Sequence, residues 1–90
     1  MNVVLITEGS WTQGHLCPFG TINEQFQGDL GLTLEQAKIR CATACNARDD
    51  CFFADLYYTS KQHACYLKGT NCGDWMSNTH GSYHMYTKGN

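Results

Sequence analysis

The chain has 90 residues, 42% of them hydrophobic and 12% aromatic, which is the length of one domain and too apolar for a disordered segment. Its formal net charge of −2 at pH 7 comes from eight acidic and six scattered basic residues, so we expect no nucleic-acid partner. The longest aliphatic run, residues 3–6, is far shorter than the roughly 20 residues of a membrane-spanning helix, so we also expect no membrane insertion.

The first third of the chain contains one predicted strand. Residues 2–8 are rich in β-branched and apolar side chains, which favours a strand. Gly9, Gly14 and Gly20 interrupt the stretch that follows, so we expect a loop or an irregular strand there. Gly28 and Asp29 then precede a helix.

The clearest predicted element is a helix over residues 34–47. Thr33 followed by Gln36 fits a capping box, in which each side chain accepts a hydrogen bond from the backbone N–H of the other. The residues that recur at helical spacing on one face are Leu34, Ala37, Cys41, Ala44 and Cys45.

Three strands are predicted after the helix. Residues 52–58 are apolar and aromatic, and a polar loop over residues 59–63 leads to a returning strand at residues 64–68. Glycine and polar residues predict a loop over residues 69–80, and residues 82–87 form a last strand. The pattern as a whole predicts an α+β fold.

Six cysteines are the most informative feature of the chain, and they are Cys17, Cys41, Cys45, Cys51, Cys65 and Cys72. An even number in so short a chain is typical of a disulfide framework, which small secreted domains use because their cores are marginal. Cys41 and Cys45 lie one helical turn apart, so each is expected to bond a partner outside the helix. The short sequence separation between Cys45 and Cys51 favours a bridge between them. Cys41 is then expected to bond Cys65 on the returning strand, which leaves Cys17 and Cys72 as the third pair. Peptide mapping distinguishes these pairs from Cys41–Cys51 with Cys45–Cys65.

A helix carrying C-x3-C, a cysteine that opens an aromatic strand and a cysteine on the return strand together resemble the PAN/apple module. The matching segments are CATACNARDDCFFADLYY and ACYLKG, and the flanking segments FQGDLG and SYHMYTKG resemble the family's lead-in and last strand. The resemblance covers about residues 17–88. Cys72 departs from the family pattern, because apple domains usually close with a bridge between cysteines near the two termini.

This resemblance implies one small disulfide-stapled domain over residues 1–90, with a main helix packed on a curved antiparallel sheet. It also implies a secreted, extracellular binding module for proteins or carbohydrates, often one of several in a larger adhesin, protease or receptor. Because residues 3–6 are too short for a signal-peptide core and lack a basic lead-in, we expect the domain to belong to a longer secreted protein.

Aromatic residues are the candidates for ligand contact, since an exposed ring can stack on a sugar or anchor a protein contact. The tryptophans and tyrosines are Trp11, Tyr57, Tyr58, Tyr66, Trp75, Tyr83 and Tyr86. Trp75 is the first candidate because it lies in the polar segment GDWMSN. Its neighbours Asp74 and Asn78 offer hydrogen bonds to sugar hydroxyls. The alternative is that Trp75 packs beside the Cys72 bridge.

Two further candidates lie on the predicted hairpin. Alternation places Asp55 and Tyr57 on one face of the first strand, and we expect that face to be wet at its middle. Tyr57, together with Lys68 at the end of the hairpin, is therefore expected to be a surface contact.

No residue pattern predicts catalysis. The chain has no C-x2-C zinc pair, its even cysteine number leaves no thiol for nucleophilic attack, and no loop supplies the roughly six to eight oxygen ligands of a calcium ion. His80 and His84 are expected to be surface histidines. We therefore expect no enzyme activity, no metal and no cofactor.

Three functions agree with these patterns. The first is non-catalytic extracellular recognition that mediates protein–protein or adhesion contacts. The second is a lectin-like carbohydrate-binding domain, which the Trp75 loop favours. The third is a small secreted inhibitor of a protease or of haemostasis, for which only the loop over residues 73–80 is available.

Overall fold

The computed structural model describes residues 9–72, 76–78 and 80–89, in which one helix packs on an antiparallel sheet. The elements are β1 (Ser10–Gln13), β2 (His15–Leu16), β3 (Thr21–Gly28), α1 (Leu34–Asn46), β4 (Phe53–Tyr58), β5 (His63–Lys68), β6 (Ser77–Asn78) and β7 (Tyr83–Thr87). The main sheet has the strand order β1-β7-β4-β5-β3, and β2 pairs with β6 separately. The predicted α+β class, with a main helix on an antiparallel sheet and disulfide cross-links, is thereby confirmed. The strand predicted over residues 2–8 lies outside the described residues.

The helix begins where the capping box predicts. The Thr33 hydroxyl accepts a hydrogen bond from Gln36 N–H at 3.1 Å, and the Gln36 side chain accepts one from Thr33 N–H at 2.9 Å. The box satisfies N–H groups that a helix start leaves unpaired. Ala47 is the C-cap, so α1 ends one residue before the predicted end. Among the described residues, no helix has the length and apolar character needed to cross a membrane.

The segment that leads into the helix is tied to the β4–β5 hairpin. The Tyr58 hydroxyl donates to the Leu32 carbonyl at 2.5 Å, and Leu32 N–H donates to His63 Nε2 at 3.3 Å. The rings of Tyr58 and His63 stack with centroids 4.6 Å apart. Because both polar groups of Leu32 are engaged, the direction in which the chain enters α1 is fixed.

The predicted hairpin is present, and β7 pairs with the other side of β4. Leu56 lies opposite Cys65 in one ladder and opposite His84 in the other. The observed bounds of β4, β5 and β7 differ from the predicted ones by one residue at their starts. Phe52 falls just outside β4, and its side chain is 49% exposed.

The strand β3 was not predicted from the sequence. The segment that holds β1 and β2 was expected to be a loop or an irregular strand, and the segment that holds β6 was expected to be a loop. β3 lies at an edge of the sheet, and most of its side chains are exposed, so it lacks a clear apolar alternation. Register irregularities between Thr21 and Asn23 and between Glu24 and Phe26 interrupt the period of two. Only Phe26 of this strand is buried.

The first face of the main sheet packs against α1. The buried residues of this core are Phe26, Ala37, Cys41, Ala42, Cys45, Cys51, Ala54, Leu56, Cys65, Leu67 and Tyr86. Cys41–Cys65 bonds α1 to β5, and Cys45–Cys51 bonds it to the segment before β4. Cys41 and Cys45 lie on consecutive turns of one helix face, so the two bridges hold the helix against the sheet at two points.

The second face of the sheet is partly covered by a smaller cluster. Cys17 and Cys72 form the third disulfide and pack there with Phe53 and Met85. The Cys17 backbone N–H donates to both carboxylate oxygens of Asp55, at 2.9 and 3.1 Å. This cover lies over the half of the face towards the start of β4. In the part of the chain that the structure describes, the half towards the β4–β5 turn is open.

Candidate functional site

The open half of the second face carries a row of side chains that crosses four strands. Tyr83 lies opposite Tyr57, Tyr57 opposite Ala64, and Ala64 opposite Gln27. Residues directly opposite one another in antiparallel strands project to the same face, so the row is continuous. It lies in a cavity of about 160 Å³, here called the tyrosine groove, which is lined by Gln27, Gly28, Tyr57, Gln62, His63, Ala64, Tyr66 and Tyr83.

Three tyrosines form the walls of the groove. The rings of Tyr57 and Tyr83 are a tilted cross-strand pair, with centroids 5.0 Å apart and planes at 55°. Tyr66 lies two residues after Ala64 on β5 and therefore shares its face. The Tyr66 hydroxyl accepts a hydrogen bond from the Gln27 side chain at 3.4 Å. Each of these rings is half-buried, so it is positioned by its neighbours and still presents surface.

The five tyrosines of the chain differ in how their hydroxyls are used. On the helix side, Tyr58 and Tyr86 donate to a backbone carbonyl and to a side-chain amide oxygen, respectively. On the groove side, the hydroxyls of Tyr57 and Tyr83 make no hydrogen bond to the part of the chain that the structure describes. A tyrosine buried for structural reasons usually finds a partner for its hydroxyl inside the protein. The groove hydroxyls are therefore available to water or to a ligand.

Ala64 forms the floor of the groove. Its side chain is buried between the larger Tyr57 and Gln27 on the neighbouring strands and beside Tyr66 on its own strand. The groove is deep at this point because alanine has no atoms beyond Cβ. Alternation directs the side chain at position 64 away from the helix, so a larger residue there would fill the groove and leave the main core unchanged.

Asp55 and Lys68 occupy the covered half of the same face, and both are buried. Lys68 Nζ lies 3.8 Å from Asp55 Oδ2 and also donates to the Thr21 hydroxyl. The prediction that this face is wet at Asp55 is therefore wrong, and so is the prediction that Lys68 is a surface contact. The reason is the segment around Cys17, which packs over this half of the face and hydrogen-bonds Asp55.

Burial perturbs two ionisable groups on this face. Loss of solvation raises the pKa of Asp55 to about 6, and the Cys17 N–H and the Lys68 ammonium oppose that rise. Burial also raises the pKa of Tyr66, and the Glu24 carboxylate adds to this increase. The Tyr66 hydroxyl thus remains protonated and neutral at physiological pH.

The residues singled out from the sequence have different outcomes. Trp75 and Asp74 lie outside the described residues. Asn78 is exposed in β6, but it does not line the tyrosine groove. Tyr57 is a wall of the groove. His84, expected at the surface, is instead buried, and burial lowers its pKa.

Two other depressions carry charged side chains. One, of about 170 Å³, lies beside Trp11 on the helix surface and includes Glu35 and Lys38. The other, of about 290 Å³, includes Asp49 and Lys88. By contrast, none of the described Lys, Arg, Asp and Glu residues lines the tyrosine groove. Within the described residues, no group of three or more His, Cys, Asp and Glu side chains is placed to hold a metal ion.

The sequence indicates Tyr57 as a surface contact and Tyr66 and Tyr83 as aromatic candidates, but not that the three lie together. It gives no indication that Gln27, Gln62 and Ala64 join them. A usable signal was the short loop after Tyr58, because its length limits the register of the hairpin and brings Ala64 opposite Tyr57. Gln27 and Tyr83 come from β3 and β7, and no local pattern indicates that these strands flank the hairpin. The groove is therefore a product of sheet topology.

No protein-family model, curated protein or solved structure matches the chain. The lining of the candidate site determines the chemistry that it offers to a ligand. That lining offers aromatic faces, phenolic hydroxyls and carboxamide groups, which suit a neutral ligand held by stacking and hydrogen bonds.

Proposed function

We propose that the chain is a non-catalytic extracellular recognition module of the PAN/apple type, and that it mediates adhesion or protein–protein contacts through the tyrosine groove. The observation that carries the proposal is the presence of three tyrosines in one groove, two of whose hydroxyls bond nothing in the described part of the chain. Tyrosine is among the residues that contribute most to binding, because its ring is large, rigid and polar at one end.

The disulfides support an extracellular location. Three bridges in a chain of 90 residues are typical of proteins from oxidising compartments. The resemblance of CATACNARDDCFFADLYY and ACYLKG to the PAN/apple module supports the same location and the same class of function.

The distribution of charge supports binding without catalysis. Asp55 and Lys68 are buried and engaged with each other, and Asp55 also accepts from the Cys17 N–H. Tyrosines, amides and one buried histidine line the groove, and no Lys, Arg, Asp or Glu of the described residues does so. No observation favours a protease or haemostasis inhibitor, whose candidate loop over residues 73–80 lies partly outside the described residues.

The proposal is tested by measuring the binding of the oxidised domain to a panel of purified cell-surface and extracellular-matrix glycoproteins. Biolayer interferometry gives a Kd for the wild-type domain and for Tyr57→Ala. We expect Tyr57→Ala to weaken binding about 10-fold or more, because it removes a wall of the groove and its hydroxyl.

Phe52→Ala is the matched control, since it removes an exposed aromatic ring outside the groove. It should bind like the wild-type domain, and the reduced and alkylated domain should not bind. Equal affinities of Tyr57→Ala and the wild-type domain would show that the groove is not the contact surface. Failure of the oxidised wild-type domain to bind any member of the panel would count against recognition of glycoproteins altogether.

A further inference from the structure

We infer that the tyrosine groove is a subsite for one neutral pyranose ring, such as the terminal sugar of a glycan. This inference rests on the proposed function, because it names the class of ligand that the same groove takes. It also assigns sugar binding to the sheet face, whereas the sequence pointed to the loop around Trp75.

The size of the groove fits one ring. Its volume is about 160 Å³. Pockets for drug-sized ligands begin at about 300 Å³, so this groove is too small for an extended ligand. A single sugar residue, with the rest of a glycan directed into solvent, is compatible with a groove that is open on one side.

The lining provides both kinds of contact that a pyranose makes. The apolar C–H face of the sugar packs on the negative face of an aromatic ring, which Tyr57, Tyr66 and Tyr83 offer. Sugar hydroxyls need donors and acceptors in equal measure. The hydroxyls of Tyr57 and Tyr83 and the side-chain amide of Gln62 supply both, and none of them is hydrogen-bonded to the described residues.

The charges around the groove favour a neutral sugar over an acidic one. Among the described residues, no Lys or Arg lines it, and the Lys68 ammonium, which lies 5.9 Å from the centre of the Tyr66 ring, is engaged with Asp55 and Thr21. The Glu24 carboxylate lies close enough to Tyr66 to raise the pKa of that tyrosine. A uronate or a sulfated sugar would therefore meet the Glu24 charge and find no unengaged Lys or Arg at the groove among the described residues.

Within an adhesion contact, the groove is better suited to a sugar carried by the partner than to the partner's polypeptide. A stable protein interface buries about 800 Å² on each partner and has an apolar centre. The exposed large hydrophobic residues of the described chain are Phe19, Ile22, Leu30, Ile39, Phe52 and Met76, and none of them lines the groove. The small, polar and aromatic groove suits a sugar better than the centre of such an interface.

The inference is tested by NMR titration of the ¹⁵N-labelled oxidised domain with methyl β-D-galactopyranoside, methyl α-D-glucopyranoside and methyl α-D-mannopyranoside. Because a methyl hexoside has few non-hydrogen atoms to contribute to binding, we expect a Kd of about 1–10 mM. We expect at least one glycoside to shift the backbone amide signals of Tyr57, Ala64, Tyr66 and Tyr83. Glucuronate should bind about threefold more weakly or worse, because of Glu24.

Variants separate sugar binding from folding. Ala64→Leu fills the floor of the groove and should weaken binding about 10-fold or more. Tyr57→Phe and Tyr83→Phe remove only a hydroxyl that the described chain does not use, so they should fold normally and weaken binding about 2- to 10-fold. Phe52→Ala lies outside the groove and should leave the Kd unchanged.

The possible outcomes distinguish this inference from the proposed function. It is overturned if none of the three glycosides shifts any signal at about 50 mM, or if the shifts map to residues outside the groove. If sugars fail to bind but Tyr57→Ala still loses glycoprotein binding, the groove recognises protein and only the ligand class is wrong. If the groove variants also bind glycoproteins normally, both proposals are wrong.

Discussion

Asp55 combines burial, hydrogen bonding and charge in a single side chain. Both of its oxygens accept from the backbone N–H of Cys17, and Lys68 lies 3.8 Å away. Two favourable partners do not restore the solvation that burial removes, so the pKa of Asp55 rises from its ordinary value of 3.8 to about 6. Folding therefore favours the protonated carboxyl.

This shift predicts how Asp55 changes stability with pH. Between about pH 4 and 6 the folded protein binds more protons at this site than the unfolded chain, so stability falls as the pH rises through this window and is level above it. The contribution is on the order of 2–3 kcal/mol. Urea denaturation at several pH values should show that wild type loses this amount relative to Asp55→Asn between about pH 4 and 7.

Asp50→Asn is the control for this measurement. The exposed Asp50 accepts a hydrogen bond from Arg48, which lowers the pKa of the carboxyl. Asp50 therefore stabilises the folded protein at neutral pH, and this stabilisation is lost as the pH falls, which is the opposite of the dependence expected for Asp55. Parallel stability curves for wild type and Asp55→Asn would contradict the assignment of a raised pKa to Asp55.

At the scale of elements, the start of α1 depends on local chemistry. Replacing Thr33 by alanine removes the hydroxyl that accepts from Gln36 N–H, so we expect a loss of about 1 kcal/mol in the free energy of unfolding. Thr43→Ala is the comparison, because the exposed Thr43 hydroxyl donates to the Ile39 carbonyl within the helix and caps no helix end. This variant should change the free energy of unfolding by less than about 0.5 kcal/mol. Thermal unfolding followed by circular dichroism measures both. Equal losses would mean that the cap does not set the helix start.

Elements with a strong local signal were predictable, and those without one were not. The pair Thr33 and Gln36 specifies the beginning of α1 through bonds three residues apart, so the sequence alone locates it. The strand β3 depends on pairing with β5, which lies about forty residues later, and its bulges and exposed edge erase the periodic pattern. The strand β3 therefore forms because of its tertiary pairing with β5, which no local sequence pattern indicates.

At the scale of the whole molecule, the disulfides should differ in their effect on stability. The chain-entropy model assigns about 3.5 kcal/mol to the loop closed by Cys41–Cys65 and about 2.3 kcal/mol to that closed by Cys45–Cys51. All four cysteines are buried, so replacing each pair by alanine removes similar packing. Urea denaturation should show that the Cys41→Ala/Cys65→Ala variant is less stable than the Cys45→Ala/Cys51→Ala variant. The reverse order would contradict the loop-length argument.

The candidate site could be predicted only in part, because contacts between distant parts of the chain decide which half of the sheet face is covered. Alternation correctly puts Asp55 and Tyr57 on one face of β4, but it does not say what covers that face. Cys17, which is 38 residues from Asp55, buries the carboxylate and leaves the tyrosine open. The Cys17–Cys72 bridge holds this cover in place, so the position of the groove depends on parts of the chain that are distant from it.

The neighbouring positions of Ser10 and Thr87, opposite each other in the β1–β7 ladder, have a mechanical consequence. Tension applied through the two ends of the domain would load this ladder one hydrogen bond at a time, so β1 and β7 would peel away at low force. The Cys17–Cys72 bridge then carries the load and shields the residues between those cysteines. Between Ser10 and Thr87 this leaves the seven residues before Cys17 and the fifteen after Cys72 to extend, which is about 22 residues or roughly 75 Å. Tyr83 would separate from the sheet with β7, whereas Tyr57 and Tyr66 lie between the two cysteines and would keep their positions. A stretched domain would therefore keep its disulfide-bonded core but lose one wall of the groove, and its affinity for a ligand would fall under tension.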